Sequence, residues 1–319
     1  LKILFFGSSG LSVLFLEKLY RSEHEIVTVI TNIDKGKGRG KKILPNPVKV
    51  KAQELGLKHL EVEKINEETC DNLLDLNFDG LVIVSFGHMI PKKLIDLSND
   101  NAINVHPSLL PKYRGPSPIA SALLNGDEET GVSIMKIDEG LDTGNIFTQV
   151  RFKIDMIDNQ KNLENKIVKS GAPLLISTLS RVEKGLIKSS PQAGTPSYTK
   201  IFTKQDYRIN WCNNSCDIQN QIRAFSPSPG AFTFLINTRI KILSSEKYDC
   251  INKDFKKIVT DNKYLPGAVI YADKVNGLIV KCGSNDAIKI MELKIEGKKM
   301  ISFIDFLNGY KLKTGDYFK

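Results

Sequence analysis

Apolar and polar positions follow two alternating periods through the first half of the chain. LKILFF (1–6) and IVTVIT (26–31) are short apolar runs, and GLVIVS (80–85) is apolar almost throughout. Runs of this length predict strands, and an unbroken one predicts a strand buried on both faces. Between them, LSVLFLEKLY (11–20), PVKVKAQELG (47–56) and NEETCDNLLDL (66–76) carry helix-like apolar faces. The second of these opens on Pro and closes on Gly, the usual start and stop of a helix. HLEV (59–62), AINVH (102–106), GVSIMKI (131–137) and NIFTQVRF (145–152) add strands, while PKKLIDLS (91–98) and SPIASALLNG (117–126) add helices. Strands alternating with helices predict an α/β fold: an N-terminal, mostly parallel, Rossmann-like sheet with helices on both faces. In such sheets ligands bind beyond the carboxyl ends of the strands.

The pattern changes in the second half. Residues 160–186 read as helix, interrupted near Gly171-Ala172-Pro173, and KSSPQAGTPSYTK (188–200) has the Ser, Pro and Gly content of a linker. Beyond it GAFTFL (230–235), RIKIL (239–243), GAVIY (267–271), GLIVKC (277–282) and AIKIMEL (287–293) are short strands separated by turn residues. Their spacing suits a small C-terminal β barrel of the oligonucleotide-binding kind. The expected organisation is a catalytic domain at 1–187, a linker at 188–205 and a β-barrel domain at 206–319. The Lys- and Asp-rich stretch 245–265 yields no assignment.

Composition narrows the function classes. The 319 residues carry a formal net charge of +9, from 45 Lys and Arg against 36 Asp and Glu. The surplus favours an anionic partner such as nucleic acid, or is a Lys-rich composition without meaning for binding. Five irregularly spaced cysteines argue against a disulfide framework, and Cys212 and Cys216 have no second pair to complete a metal set. No apolar run approaches the ~20 residues of a membrane span. LKILFF runs straight into strand-like sequence, so no signal peptide is expected and a cytoplasmic location is.

Three segments carry candidate chemistry. GSSG (7–10) is a tight turn between strand and helix, but the G-x-G-x-x-G dinucleotide fingerprint is absent. DKGKGRGKK (34–42) interleaves Lys35, Lys37, Arg39, Lys41 and Lys42 with glycines, suiting a phosphate backbone; it is not a P-loop, since Lys42 stands where Ser or Thr is required. NVHPSLLPKYRG (104–115) places Asn104 and His106 on one face of a strand end, followed by a proline-stiffened loop. A histidine suits proton transfer near neutral pH, and an Asn amide can donate to a carbonyl oxygen that turns negative under attack. KIDEGLDTGNIF (136–147) offers Asp138, Glu139 and Asp142 as carboxylate partners. From spacing alone, a structural histidine bonded to backbone is the competing reading.

NVHPSLLPKYRGPSP followed by DEGLDTGNI resembles the folate-dependent formyltransferases. The resemblance extends to VIVSFGHMIP (82–91), FTKQDYRINW (202–211) and IRAFSPSPGAFT (222–233), so it covers nearly the whole chain. It implies Asn104, His106 and Asp142 as the catalytic trio, with His106 adding charge stabilisation when protonated. It implies 10-formyltetrahydrofolate as formyl donor, bound by Phe86, Gly87, His88, Met89, Ile90, Ser108, Leu109, Leu110, Pro111, Asp138 and Gly140, and it implies no metal. DKGKGRGKK resembles the basic loop that tRNA-modifying members set against the acceptor stem, with Arg39 at that loop's key arginine. That implies an initiator methionyl-tRNA as partner, touched by Lys35, Lys37, Arg39, Lys41, Lys42 and Lys204, and a monomer. A family member acting on a small amine is the alternative. Ile33, His88 and Ser228 depart from residues common in the family.

Overall fold

The computed structural model describes all residues except 38–41, 99–100, 249–252 and 262, and Arg39 and Lys41 fall outside that set. Backbone contacts divide the chain into two units. The first holds Leu1–Pro118, Glu129–Lys153 and Glu164–Lys200; the second holds Ile119–Glu128, Ile154–Leu163 and Ile201–Lys319.

The strands of the first unit are β1 (Lys2–Gly7), β2 (Glu25–Asn32), β3 (Lys35–Lys37), β4 (Lys42–Leu44), β5 (His59–Val62), β6 (Gly80–Val84), β7 (Ala102–His106), β8 (Glu129–Lys136) and β9 (Ile146–Lys153). Seven of them form one sheet in the order β5-β2-β1-β6-β7-β8-β9. The five strands from β5 to β7 are parallel, and β8 and β9 run antiparallel to their neighbours at one edge. Strand order reverses between β1 and β6, the kind of switch point beyond whose carboxyl ends such sheets bind ligands. β3 and β4 pair separately as an antiparallel hairpin, where the sequence suggested only a loop.

Leu4, Phe6, Leu81 and Ile83 alternate onto one sheet face. There they pack with Cys70 and Leu73 of α3 (Glu67–Leu74) and Leu94 of α4 (Lys92–Leu97). Ile3 and Phe5 are fully buried on the opposite face. Burying such a side chain stabilises the fold by about 1.5–3 kcal/mol relative to exposure. α1 (Gly10–Tyr20) is started by a reciprocal cap between Ser9 and Ser12, and α2 (Pro47–Glu54) by Asn46 with Pro47 in the first helical position. α5 (Pro118–Leu124) lies almost wholly in the second unit.

The interruption predicted near Gly171 does not occur. α6 (Gln160–Glu183) is one helix with Pro173 inside it. A side chain at Gly171 would lie 3.1 Å from Phe15 and Val132, so the small residue allows the helix to approach α1 and β8. Close tertiary packing outweighs the local helix-breaking signal.

The second unit contains α7 (Ser215–Phe225), β10 (Ala231–Leu235), β11 (Thr238–Lys247), α8 (Lys253–Thr260), β12 (Val269–Asp273), β13 (Gly277–Lys281), β14 (Ala287–Ile295), β15 (Met300–Ser302) and α9 (Phe303–Gly309). Its antiparallel sheet has the order β10-β11-β14-β13-β12, with β15 added on β14. Residues near the C-terminal end join the two sheet edges: Val269 donates to Asp316 O at 2.7 Å and Phe234 donates to Lys319 O at 2.9 Å. Ile218 and Ile222 of α7 share the core with Trp211, Phe306 and Phe318. α8 and the end of β11 fall in the stretch that sequence left unassigned.

Candidate active site

β7 lies between β6 and β8, so its carboxyl end is held on both sides. Asn104 and His106, two residues apart, project from one face of it. His106 is only 4% exposed. Its Nε2 lies 2.9 Å from the carbonyl oxygen of Tyr113. A carbonyl can only accept, so Nε2 carries the hydrogen and donates. Nδ1 then faces Asp142 Oδ1 at 3.6 Å.

Asp142 comes from the turn between β8 and β9 and has a left-handed φ of 54°. Its Oδ2 accepts from the backbone N–H of Gly115 at 2.7 Å, and its Oδ1 accepts from Asn104 Nδ2 at 3.3 Å. One carboxylate thus joins Asn104, His106 and the backbone of the RG turn. The second N–H of Asn104 reaches only Met135 Sδ, a weak acceptor at 4.0 Å. The three residues singled out as a trio are together in the first unit.

Burial is the largest influence on His106 and holds its pKa below the ordinary histidine value, while Asp142 and the Tyr113 carbonyl oppose it. The shift favours the neutral imidazole, with the Nδ1 lone pair toward the carboxylate. The resemblance implies charge stabilisation by His106 only in its protonated form, which the lowered pKa disfavours.

The loop after β7 is anchored by polar groups of β8 and β9. Ser133 Oγ donates to Ser108 O at 2.6 Å and accepts from Leu110 N at 3.1 Å. Gln149 Nε2 donates to Leu110 O at 3.0 Å and to Ser133 Oγ at 2.7 Å. Ser108 Oγ donates to Lys112 O at 2.6 Å. Leu109 packs against β8, where a side chain on Gly131 would come 2.4 Å from its Cδ2. Ser108, Leu109, Leu110 and the buried Pro111 thus have structural tasks in this loop.

The other residues expected at a folate site lie on two turns. Ser85 and Gly87 have φ of 49° and 83° and turn the chain at the end of β6, the neighbour of β7. Phe86 is buried edge-on to Phe6, its centroid 5.4 Å away; His88 and Ile90 are half-buried, and Met89 is 65% exposed. Asp138 accepts from Gly140 N at 3.1 Å and from Thr143 Oγ1 at 2.9 Å, which shapes the turn carrying Asp142. Among the basic residues, Lys35, Lys37 and Lys42 belong to the β3–β4 hairpin, and Lys204 is exposed in the second unit. A cleft of about 520 Å³ in the second unit, lined by Arg208, Trp211 and Phe318 among others, contains none of the predicted residues. Among the described residues no group of three or more His, Cys, Asp or Glu side chains could hold a metal ion, and no helix is long and apolar enough to cross a membrane.

Sequence reasoning missed the supports. Tyr113 lies inside the NVHPSLLPKYRG run, which assigns it no role, and Ser133 and Gln149 carry no motif signal of their own. Gln192 sits in the stretch whose composition reads as linker, yet it bonds to the backbone of Asp142.

Two family profiles meet this geometry. Residues 1–179 match the profile described as formyl transferase, and residues 201–311 match the formyl transferase C-terminal domain. The chain belongs to the formyl transferase family. It is 41% identical to a methionyl-tRNA formyltransferase of Halothermothrix orenii, over 99% of each chain. It is 38% identical to a methionyl-tRNA formyltransferase of Dictyoglomus thermophilum, over 100% of each. Among solved structures, a sugar 3N-formyl transferase crystallised with dTDP and 5-N-formyl-THF shares the fold. Its TM-score is 0.64 at 24% identity, covering 94% of this chain and 99% of that one. The family expectation and the fold class, a parallel-dominant sheet with helices followed by an antiparallel β domain, both hold.

Proposed function

We propose that this formyl transferase moves the formyl group of 10-formyltetrahydrofolate to the amino group of methionine on initiator methionyl-tRNA, for translation initiation in the cytoplasm. The observation that carries the chemistry is the single Asp142 carboxylate contacting both Asn104 and His106. The tRNA substrate is favoured by full-length relatives of that name over structures of sugar-modifying members at 24% identity.

The neutral methionyl amine attacks the formyl carbon, and the carbonyl oxygen becomes an oxyanion. Asn104 donates its remaining N–H to that oxygen, a contact worth about 2.7–4 kcal/mol in the transition state. The amine becomes cationic as its bond to carbon forms. Its proton passes toward the Nδ1 lone pair of His106, where Asp142 stabilises the resulting imidazolium. The bond from formyl carbon to folate nitrogen breaks, and the proton ends on that nitrogen. The products are formylmethionyl-tRNA and tetrahydrofolate.

Phe86, Gly87, His88, Met89, Ile90, Asp138 and Gly140 would border the folate, with the backbone of the Ser85–Gly87 turn offering hydrogen bonds. Ser108, Leu109, Leu110 and Pro111 would shape its wall. Lys35, Lys37, Arg39, Lys41 and Lys42 would meet the phosphates of the acceptor stem, and Lys204 with the 206–319 domain would contact the rest of the tRNA. Residues 188–205 connect that domain to the catalytic residues 1–187, and the protein acts as a monomer.

Formyl transfer assayed side by side on methionyl-tRNA, glycinamide ribonucleotide and an amino sugar nucleotide tests this assignment. Product with methionyl-tRNA alone supports it; product with only a small amine overturns it. Arg39→Ala should raise the KM for tRNA and leave the KM for folate unchanged.

A further inference from the structure

The stretch 188–200 is bonded along its length to both signature segments. Ser190 exchanges backbone hydrogen bonds of 2.8 and 2.9 Å with Ile146, just past the Asp142 turn. Arg114 N donates to Ser197 O, and Thr199 N donates to Arg114 O, each at 2.8 Å. Gln192 lies between these two anchor points. Its Nε2 donates to Asp142 O at 2.8 Å and to Gly144 O at 2.9 Å. Its Oε1 accepts from Nη2 and Nε of Arg114 at 2.8 and 3.2 Å. Arg114 is itself held by the Tyr198 hydroxyl at 3.1 Å.

Both donors and the acceptor oxygen of the amide are engaged, and only this orientation works. A guanidinium can only donate and a backbone carbonyl can only accept. The backbone being held is unusual: Asp142 has φ of 54°, a region that residues with a side chain seldom occupy without support. Its neighbour Gly144 is packed so closely that a Cβ would fall 1.9 Å from Lys136 O. The left-handed turn is thus fastened on one side by β8 and on the other by Gln192.

We infer that Gln192 is a positioning residue for formyl transfer. It locks the Asp142 turn so that one carboxylate reaches Asn104 and His106 together, and Arg114 orients its amide. This rests on the catalytic reading of Asp142 given above. Gln192 touches no reacting atom, so its influence passes entirely through the Asp142 backbone.

Gln192→Glu keeps the shape and the bond to Arg114 but turns acceptors toward two carbonyls; Gln192→Ala removes the group altogether. Single-turnover formyl transfer to methionyl-tRNA should slow by roughly 10- to 100-fold in both variants. KM for each substrate and the thermal midpoint should stay near the parent's. The deciding comparison repeats Gln192→Glu in an Asp142→Asn background, where no further loss is expected because the effect acts through Asp142. Equal losses in both backgrounds, or no loss in the parent, would overturn the inference. A parent-like rate for Asp142→Asn alone would refute the catalytic reading itself, and the inference with it, a result distinct from either of those.

Discussion

The carboxyl ends of β1 and β7 lie on the same edge of one sheet with β6 between them, yet their polar groups are used differently. After β1, Ser12 Oγ accepts from the backbone N–H groups of Ser8 and Ser9 at 3.2 and 3.1 Å and donates to Val84 O at 2.5 Å. The N–H groups of Ser8 and Ser9 in the Gly-Ser-Ser-Gly turn are therefore answered within the turn and its helix rather than held for a phosphate. After β7, the Asp142 carboxylate gathers Asn104, His106 and Gly115, but the second Asn104 N–H meets only the weak acceptor Met135 Sδ and, among the described residues, the His106 Nδ1 has no hydrogen-bond donor against it. The two strand ends, on either side of β6, share the sheet edge at which such folds bind ligands. The difference in chemistry comes from which donors and acceptors the protein leaves unengaged.

Removing the open donor should have the largest effect. Asn104→Ala should lower kcat by on the order of 100- to 1000-fold, measured by steady-state formyl transfer. Ser12→Ala is the matching change at β1. It leaves the turn N–H groups and Val84 O without a partner and should destabilise the fold by about 1–3 kcal/mol in urea unfolding, with kcat near the parent's. A kcat loss as large as that of Asn104→Ala would erase the contrast between the two ends.

His106 gives a smaller, pH-dependent signature. Its folded pKa is depressed, so the unfolded chain takes up this proton first as pH falls. The stability from burying a neutral imidazole is complete above its ordinary value near 6.5. It declines as pH drops from there toward the lowered folded value, by up to about 1.4 kcal/mol per pH unit. His106→Gln should flatten that part of the stability–pH curve. An unchanged slope in the variant would mean that His106 is not held neutral.

Much of this was legible because it is local. The apolar runs of β1 and β6, the Asn46-Pro47 helix start and the pairing of Asn104 with His106 follow from residue type and spacing along the chain. What was not legible depends on distant partners. The antiparallel direction of β8 and β9 has no local signal. α6 runs through Gly171-Ala172-Pro173 because Phe15 and Val132 lie against it. Gln192 acts across 50 residues of sequence, from a stretch whose Ser, Pro and Gly content conceals its bonds. Asp142, Asp138 and Glu139 were equivalent carboxylates by spacing. The family resemblance singled out Asp142, and only Asp142 of the three meets both Asn104 and His106.

The rate of formyl transfer by Asp142→Asn tests the central claim most directly. Asparagine keeps the size of the side chain and an acceptor for Gly115, but it removes the charge that stabilises a proton on His106. The measurement is single-turnover transfer to methionyl-tRNA, with the thermal midpoint determined alongside. A loss on the order of 100-fold or more at an unchanged midpoint is the predicted result. Turnover close to the parent's, in a folded variant, would contradict it.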